Sequence, residues 1–233
     1  EFFEVTKKFH NALHGKVEKI LPEDFALFSE VTERNLEEMR FYGDIFFIHD
    51  PQPVALIAKK KEIGRKWVWR CHIDVSKPDR KAWEFIRGFV VNYDAAVFSA
   101  PNFAQQLPIR QFLVTPSIDP LSDKNRELDR ETINSVLTKY GLASDKPIIT
   151  QVSRFDRLKD PLGVIEAFEM VRKSIDCQLV LAGGTATDDP ESEDVLEEVR
   201  RRAEGNPDVH VLLVPPESDI EINALQSAAT III

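Results

Sequence analysis

The stretch QVSRFDRLKDP, Gln151 to Pro161, follows the apolar run PIITQV and precedes a segment of helical periodicity, so it reads as the loop between a buried strand and a helix. Asp160-Pro161 is a helix start, a capping carboxylate followed by proline at the first helical position. The helix presents Leu162, Ile165, Phe168, Val171 and Ile175 on one side. A strand, loop and helix in this order form the unit of a parallel α/β sheet. Arg154 and Lys159 then lie just past the C-terminal end of a strand, where open α/β sheets bind ligands. The helix start aims free N–H groups and a positive dipole end at the same space, so a diphosphate would meet arginine, lysine and backbone donors together. The alternative is that both are solvated loop cations, or that Asp156, Arg157 and Asp160 engage them.

Outward from this loop the pattern repeats. Toward the C-terminus, CQLVLAGG reads as a strand, a helix opens near Asp189-Pro190 and ends by Gly205, and DVHVLLV is the next strand. Ser218 and Glu221 have the spacing of a capping box before a helix carrying Ile222, Leu225 and Gln226, and the run from Thr230 reads as a strand. Upstream, KYGL ends a helix with Gly141 as its C′ residue. TPSIDPLSDKN, Thr115 to Asn125, interrupts the pattern with prolines and polar residues and marks a domain boundary, giving domains 1–118 and 119–233. The first holds strand candidates at Asp44–His49, Lys66–His72, Ala95–Ala100 and Gln111–Thr115, with a helix bearing Trp83, Ile86, Phe89 and Val90. A further helix is expected over Pro22–Met39. The fold class is α/β with parallel sheets.

The balance of 30 Lys+Arg against 39 Asp+Glu, net charge −9, argues against nucleic acid as a partner. No run approaches a membrane span, and the start lacks a signal-peptide layout. Cys71 and Cys177 lack disulfide-framework or zinc spacing, so a reducing, cytoplasmic setting and no metal are expected. The abrupt ends, EFF and TIII, suggest a piece of a longer protein.

Two more clusters sit at strand ends. FIHDPQP places His49, Asp50 and Gln52 after the first strong strand, a set of donors and acceptors suited to sugar hydroxyls or to acid–base work. The alternative is a turn, for which Asp-Pro and Gln-Pro are well suited. RCHID places His72 and Asp74 after the next strand, and His49, Asp50 and His72 would converge if the two strands are neighbours. In LAGGTATDD, Gly183 and Gly184 permit a tight turn or a close ligand approach, but the segment is not a G-x-G-x-x-G fingerprint. No serine elbow, Walker A loop or H-E-x-x-H occurs.

Together, HDPQP, RCHID, PSIDP, QVSRFDRLKD and AGGTATDDPE resemble the archaeal and bacterial trehalose synthases of glycosyltransferase family 4, across Phe2 to Ile233. The resemblance implies a GT-B type fold of two Rossmann-like domains, both incomplete here. It also implies a retaining transfer of glucose from a nucleotide-diphosphate glucose to glucose, giving trehalose, with no cofactor or metal required. Nucleotide sugar and glucose or trehalose are the implied partners, and a homo-oligomer is compatible with it. By the same resemblance Arg154 and Lys159 bind the donor diphosphate and take part in catalysis. Asp50, His49 and Gln52 contact the acceptor, His72 lines the reacting centre, and PSIDP joins the domains. The family's glycine-rich loop has no counterpart here, and its glutamate pair would lie beyond Ile233, so 233 residues alone are expected to be inactive. A trehalose phosphorylase of the same fold and a non-catalytic sugar- or nucleotide-binding module are the competing readings.

Overall fold

The computed structural model describes residues 1–184 and 190–233. The chain divides into two compact units, Glu1–Ser117 and Ile118–Ile233.

The first unit opens with two helices, α1 (Phe2–Leu13) and α2 (Pro22–Glu38). The first of them was not expected from sequence, although Val5, Phe9, Ala12 and Leu13 bury one helical stripe. Four parallel strands follow, in spatial order β1 (Ile45–His49), β2 (Lys66–Cys71), β3 (Ala95–Phe98), β4 (Arg110–Leu113), with α4 (Arg80–Val90) between β2 and β3 and a one-turn α3 (Lys60–Ile63) before β2. Asp79 caps α4, accepting from the N–H groups of Lys81 and Ala82. Phe9, Phe28, Trp67, Trp69, Ile86 and Phe98 form the core against one face of the sheet. Residues on the other face alternate with these along the strands. There Ile45, Phe47, Phe112 and Val114 are exposed. Parallel sheets are normally covered on both faces. The centre of this face is nevertheless buried at Arg70, Ala95 and Val97, so its exposed apolar residues lie on and beside the edge strands β1 and β4.

Register is held at the strand starts. Asp94 precedes β3, and its Oδ2 accepts the Trp67 N–H at 2.8 Å while its own N–H donates to Trp67 O at 2.9 Å. Arg70 is buried, and its Nη2 donates to Ser99 Oγ at 3.1 Å. Cys71 and Cys177 are free, buried thiols; burial pushes the Cys71 thiol up to about 12, so it is unreactive at neutral pH.

The second unit has the order β7 (Val209–Leu213), β6 (Gln178–Gly183), β5 (Ile148–Val152), β8 (Ile231–Ile232), all parallel. Helices α5 (Arg130–Lys139), α6 (Pro161–Arg172), α7 (Pro190–Ala203) and α8 (Asp219–Ala228) complete it. Apolar cores lie on both faces of this sheet. Ile165, Phe168, Leu179, Leu181, Val195 and Val199 form one; Val136, Leu137, Val180, Ala182, Ala224 and Leu225 form the other.

Gly141 has φ +67 just after α5, the left-handed helix-end conformation glycine accepts most readily. Two local expectations are corrected. Val171 and Ile175 are exposed, and the buried stripe of α6 is Pro161, Val164, Ile165 and Phe168, because the helix ends at Arg172 and its last turn runs past the core. Ser218 does cap α8 in position but makes no side-chain cap bond. Glu221 instead accepts from Lys139 Nζ and from the Tyr140 hydroxyl, two donors from the end of α5 that outcompete one backbone N–H. The Thr185–Asp189 part of the glycine-bearing segment lies outside the described residues.

At the opposite edge, Asp208 precedes β7 and accepts from Arg172 Nε and Nη2 and from Lys146 Nζ, at 2.8–3.1 Å. Those bonds hold its carboxyl below the usual range. A depressed carboxylate contributes stability above its unfolded pKa and loses it as pH falls through the folded one. Asp208→Asn is therefore expected to lower unfolding free energy by about 1 kcal/mol at neutral pH. The difference from the unsubstituted chain should vanish in acid, as read by urea unfolding across pH.

Candidate functional site

At the C-terminal end of the first sheet, β1 and β2 pair in register up to His49 opposite Arg70. The chain then turns at Asp50, which adopts φ +66, a left-handed conformation that aspartate tolerates better than most residues. Three hydrogen bonds hold it there. Its N–H donates to Arg70 O at 2.7 Å, its carbonyl accepts Trp69 Nε1 at 2.9 Å, and its Oδ1 accepts the His72 N–H at 2.8 Å. The second carboxylate oxygen has no partner among the described residues.

His49 and His72 are both exposed, and His49 Nδ1 lies 2.8 Å from His72 Nε2. The structure thus brings His49, Asp50 and His72 together. Gln52 sits half-buried in the turn that follows Pro51. Asp74, the other polar residue of RCHID, is turned to its own loop: Oδ1 accepts the Ser76 N–H at 2.8 Å. Hydrogen bonds from Ser76 hold its carboxyl below the usual range. His14, at the end of α1, is lowered by burial and raised in part by Asp74.

In the second unit, β5 runs into the loop holding Arg154 and Lys159, both exposed. Gln151, 7% exposed, donates its Nε2 to Lys159 O at 2.7 Å and so ties the far end of the loop to the strand. The near end lies against β6, where Ser153 N–H donates to Ala182 O at 3.0 Å. A Cβ on Gly183 would sit 1.8 Å from Ser153 O, so this position has room for glycine alone. The close approach is between backbones, and it accounts for the first glycine of LAGG without a ligand.

The charges in the loop divide cleanly. Asp156 Oδ1 accepts the Leu158 N–H at 2.7 Å, Asp160 Oδ1 accepts the Gly163 N–H at 3.1 Å, and Arg157 forks onto Glu198 of α7. Among the described residues Arg154 and Lys159 have no ion-pair partner. Asp156 and Asp160 each use one oxygen on a backbone N–H and pair with neither cation, and the exposure of both cations agrees equally with the alternative of solvated loop charges.

One expectation is corrected. The start of α6 does not offer a full set of free N–H groups, since Pro161 has none, Gly163 donates to Asp160 Oδ1 and Val164 donates to Asp160 O at 3.1 Å. Leu162 N–H is the first-turn donor left over among the described residues. An anion here would rely on the two side chains more than on the helix. No group of three or more His, Cys, Asp or Glu with metal-binding geometry occurs among the described residues, and none of the described helices is long and apolar enough to cross a membrane.

Sequence reasoning missed Gln151, Ser99 and Arg70. Gln151 and Arg70 each carried a signal, a long polar side chain inside a strand of mostly apolar residues.

Comparison with known proteins gives a consistent assignment. Residues 1–105 match the family model described as trehalose synthase, N-terminal domain. Residues 134–233 match that of glycosyl transferases group 1. A trehalose synthase of Rubrobacter xylanophilus is 38% identical over 242 residues, covering all of this chain and 58% of that protein. One of Pyrococcus horikoshii is 42% identical over 240 residues, covering all of this chain and 57% of that protein. The chain thus spans well under two thirds of the length of these curated relatives. A solved alpha,alpha-trehalose-phosphate synthase (UDP-forming) from Burkholderia xenovorans, in complex with glucose-6-phosphate, superposes with TM-score 0.73 over 98% of this chain and 64% of that one, at 11% identity. The fold is that of a GT-B glycosyltransferase, built here from two parallel four-stranded sheets. Within that class, the chain belongs to the trehalose synthase family.

Asp50 is expected to support local structure whatever its role toward a ligand. Asp50→Ala loses the bond to His72 N–H and places a residue that disfavours the left-handed region at φ +66, so unfolding free energy should fall by about 2 kcal/mol. Asp50→Asn keeps both features and should stay close to the unsubstituted chain in the same urea titration.

Proposed function

We propose that the protein is a retaining glycosyltransferase that moves glucose from a nucleotide-diphosphate glucose to glucose, forming trehalose. The observation that carries this reading is the pair of exposed cations, Arg154 and Lys159, on a loop whose own carboxylates are bound to backbone N–H groups. A site built this way favours an added anion over an internal ion pair. Family membership makes a nucleoside diphosphate the natural candidate.

As the bond between the anomeric carbon and the β-phosphate oxygen breaks, negative charge builds on that oxygen. Arg154 and Lys159, held by Gln151 and by the β6 contact, would stabilise it as it develops. The anomeric carbon becomes oxocarbenium-like. The acceptor hydroxyl attacks from the face that the phosphate leaves, and its proton passes to the departing phosphate oxygen, so charges balance without a protein nucleophile. The Asp50 oxygen not bonded to His72 N–H would accept from an acceptor hydroxyl, with Gln52 beside it, and His72 would line the reacting centre.

Arg154→Ala and Lys159→Ala, each made in the whole gene product, are expected to lower kcat for trehalose formation roughly 10²–10³-fold with no change in thermal midpoint. Turnover close to the unsubstituted enzyme in both would remove the donor-site assignment. Phosphate-dependent breakdown of trehalose in the absence of nucleotide would assign the two cations to inorganic phosphate instead.

A further inference from the structure

The contact between His49 and His72 is more specific than two exposed rings in a shared site. Their planes are 12° apart and their centroids 5.1 Å apart, with the nitrogens at 2.8 Å. That centroid separation is what two rings meeting edge to edge in one plane require: two ring radii plus the N···N distance. Rings stacked face to face would be closer. The lone pair of an imidazole nitrogen lies in the ring plane, so the geometry is that of an N–H···N hydrogen bond.

We infer that His49 is a positioning residue for His72: it accepts a hydrogen bond at Nδ1 from His72 Nε2–H, fixing the orientation of the His72 ring and the nitrogen that carries its proton. Its significance for glucosyl transfer rests on the reading above. The opposite direction would need both rings in the Nδ1–H form, which neutral imidazoles disfavour. The direction inferred leaves both in the Nε2–H form, with His72 Nδ1 as an acceptor and His49 Nε2–H as an outward donor. His72 then offers a reacting sugar a lone pair rather than an N–H.

The surroundings of the pair are few and fixed. Asp50 holds the His72 backbone N–H, Arg70 is the register partner of His49 across β1 and β2, the Phe47 ring lies 5.4 Å from that of His49, and Asp74 is engaged with Ser76. A first added proton makes a cation that strengthens the bond. A second would set N–H against N–H across 2.8 Å.

The test uses the 233-residue chain and needs no substrate. It has five histidines, so single substitutions assign every imidazole in long-range ¹H–¹⁵N spectra. In the unsubstituted chain, in mildly alkaline solution, His49 and His72 are each expected to show the Nε2–H tautomer alone. His49→Phe should leave His72 a mixture of the two neutral tautomers. His49→Asn, whose side-chain oxygen falls near the former Nδ1, should restore the single Nε2–H form of His72. Identical His72 tautomer populations in the unsubstituted chain and in His49→Phe would overturn the inference, as would an Nδ1–H form of His72. A separate assay of the whole gene product should show a lowered kcat in His49→Phe that His49→Asn restores in part. If the spectra behave as expected but no trehalose is made, the pairing stands and the proposed function falls.

Discussion

Parallel pairing imposes one requirement on both units: every strand leaves its sheet at the same end, and the last backbone groups there must find partners outside the ladder. Asp50 meets it in the first unit, where one residue binds Arg70 O, the Trp69 indole and the His72 N–H. Gln151 and the Gly183–Ser153 approach meet it in the second. In each case the side chain that closes the strand end also decides what its neighbours can do. Asp50 sets His72 beside His49, and Gln151 anchors the loop that carries Lys159.

This is why polar residues at strand ends were readable as sites from sequence, while their connections were not. The strands stand out because β6 runs Leu-Val-Leu-Ala after Gln178 and β5 opens on two isoleucines. Asp160-Pro161 announces the start of α6 through local chemistry alone. The contact between His49 and His72 spans 23 residues and exists only because β1 and β2 are neighbours. Glu221 shows the opposite case. Its local pattern predicts a capping box, but Tyr140 and Lys139 come from more than 80 residues away and offer stronger partners. Likewise Val171 and Ile175 fit the helical period of α6 while the helix has already outrun its core. First-unit α1 has a regular apolar stripe but no capping side chain to mark its start, so the local start signal that α6 has is absent there.

The two candidate sites differ in charge in a way that fits different ligand chemistries. Around Asp50 the groups are one carboxylate oxygen and two imidazoles, a set that exchanges hydrogen bonds with hydroxyls. A phosphate placed against the Asp50 carboxylate would meet like charge, whereas a neutral sugar would not. The β5 loop instead presents two cations whose neighbouring carboxylates are committed to backbone N–H groups. Had Asp156 and Asp160 been free to fold onto Arg154 and Lys159, the loop would be a self-neutralised surface pair of little consequence. Their use as caps for the short turn at Arg157 and for α6 keeps them off the cations. The same two bonds start the short turn and α6 and leave both cations without an ion pair among the described residues, the arrangement on which the proposed anion site rests.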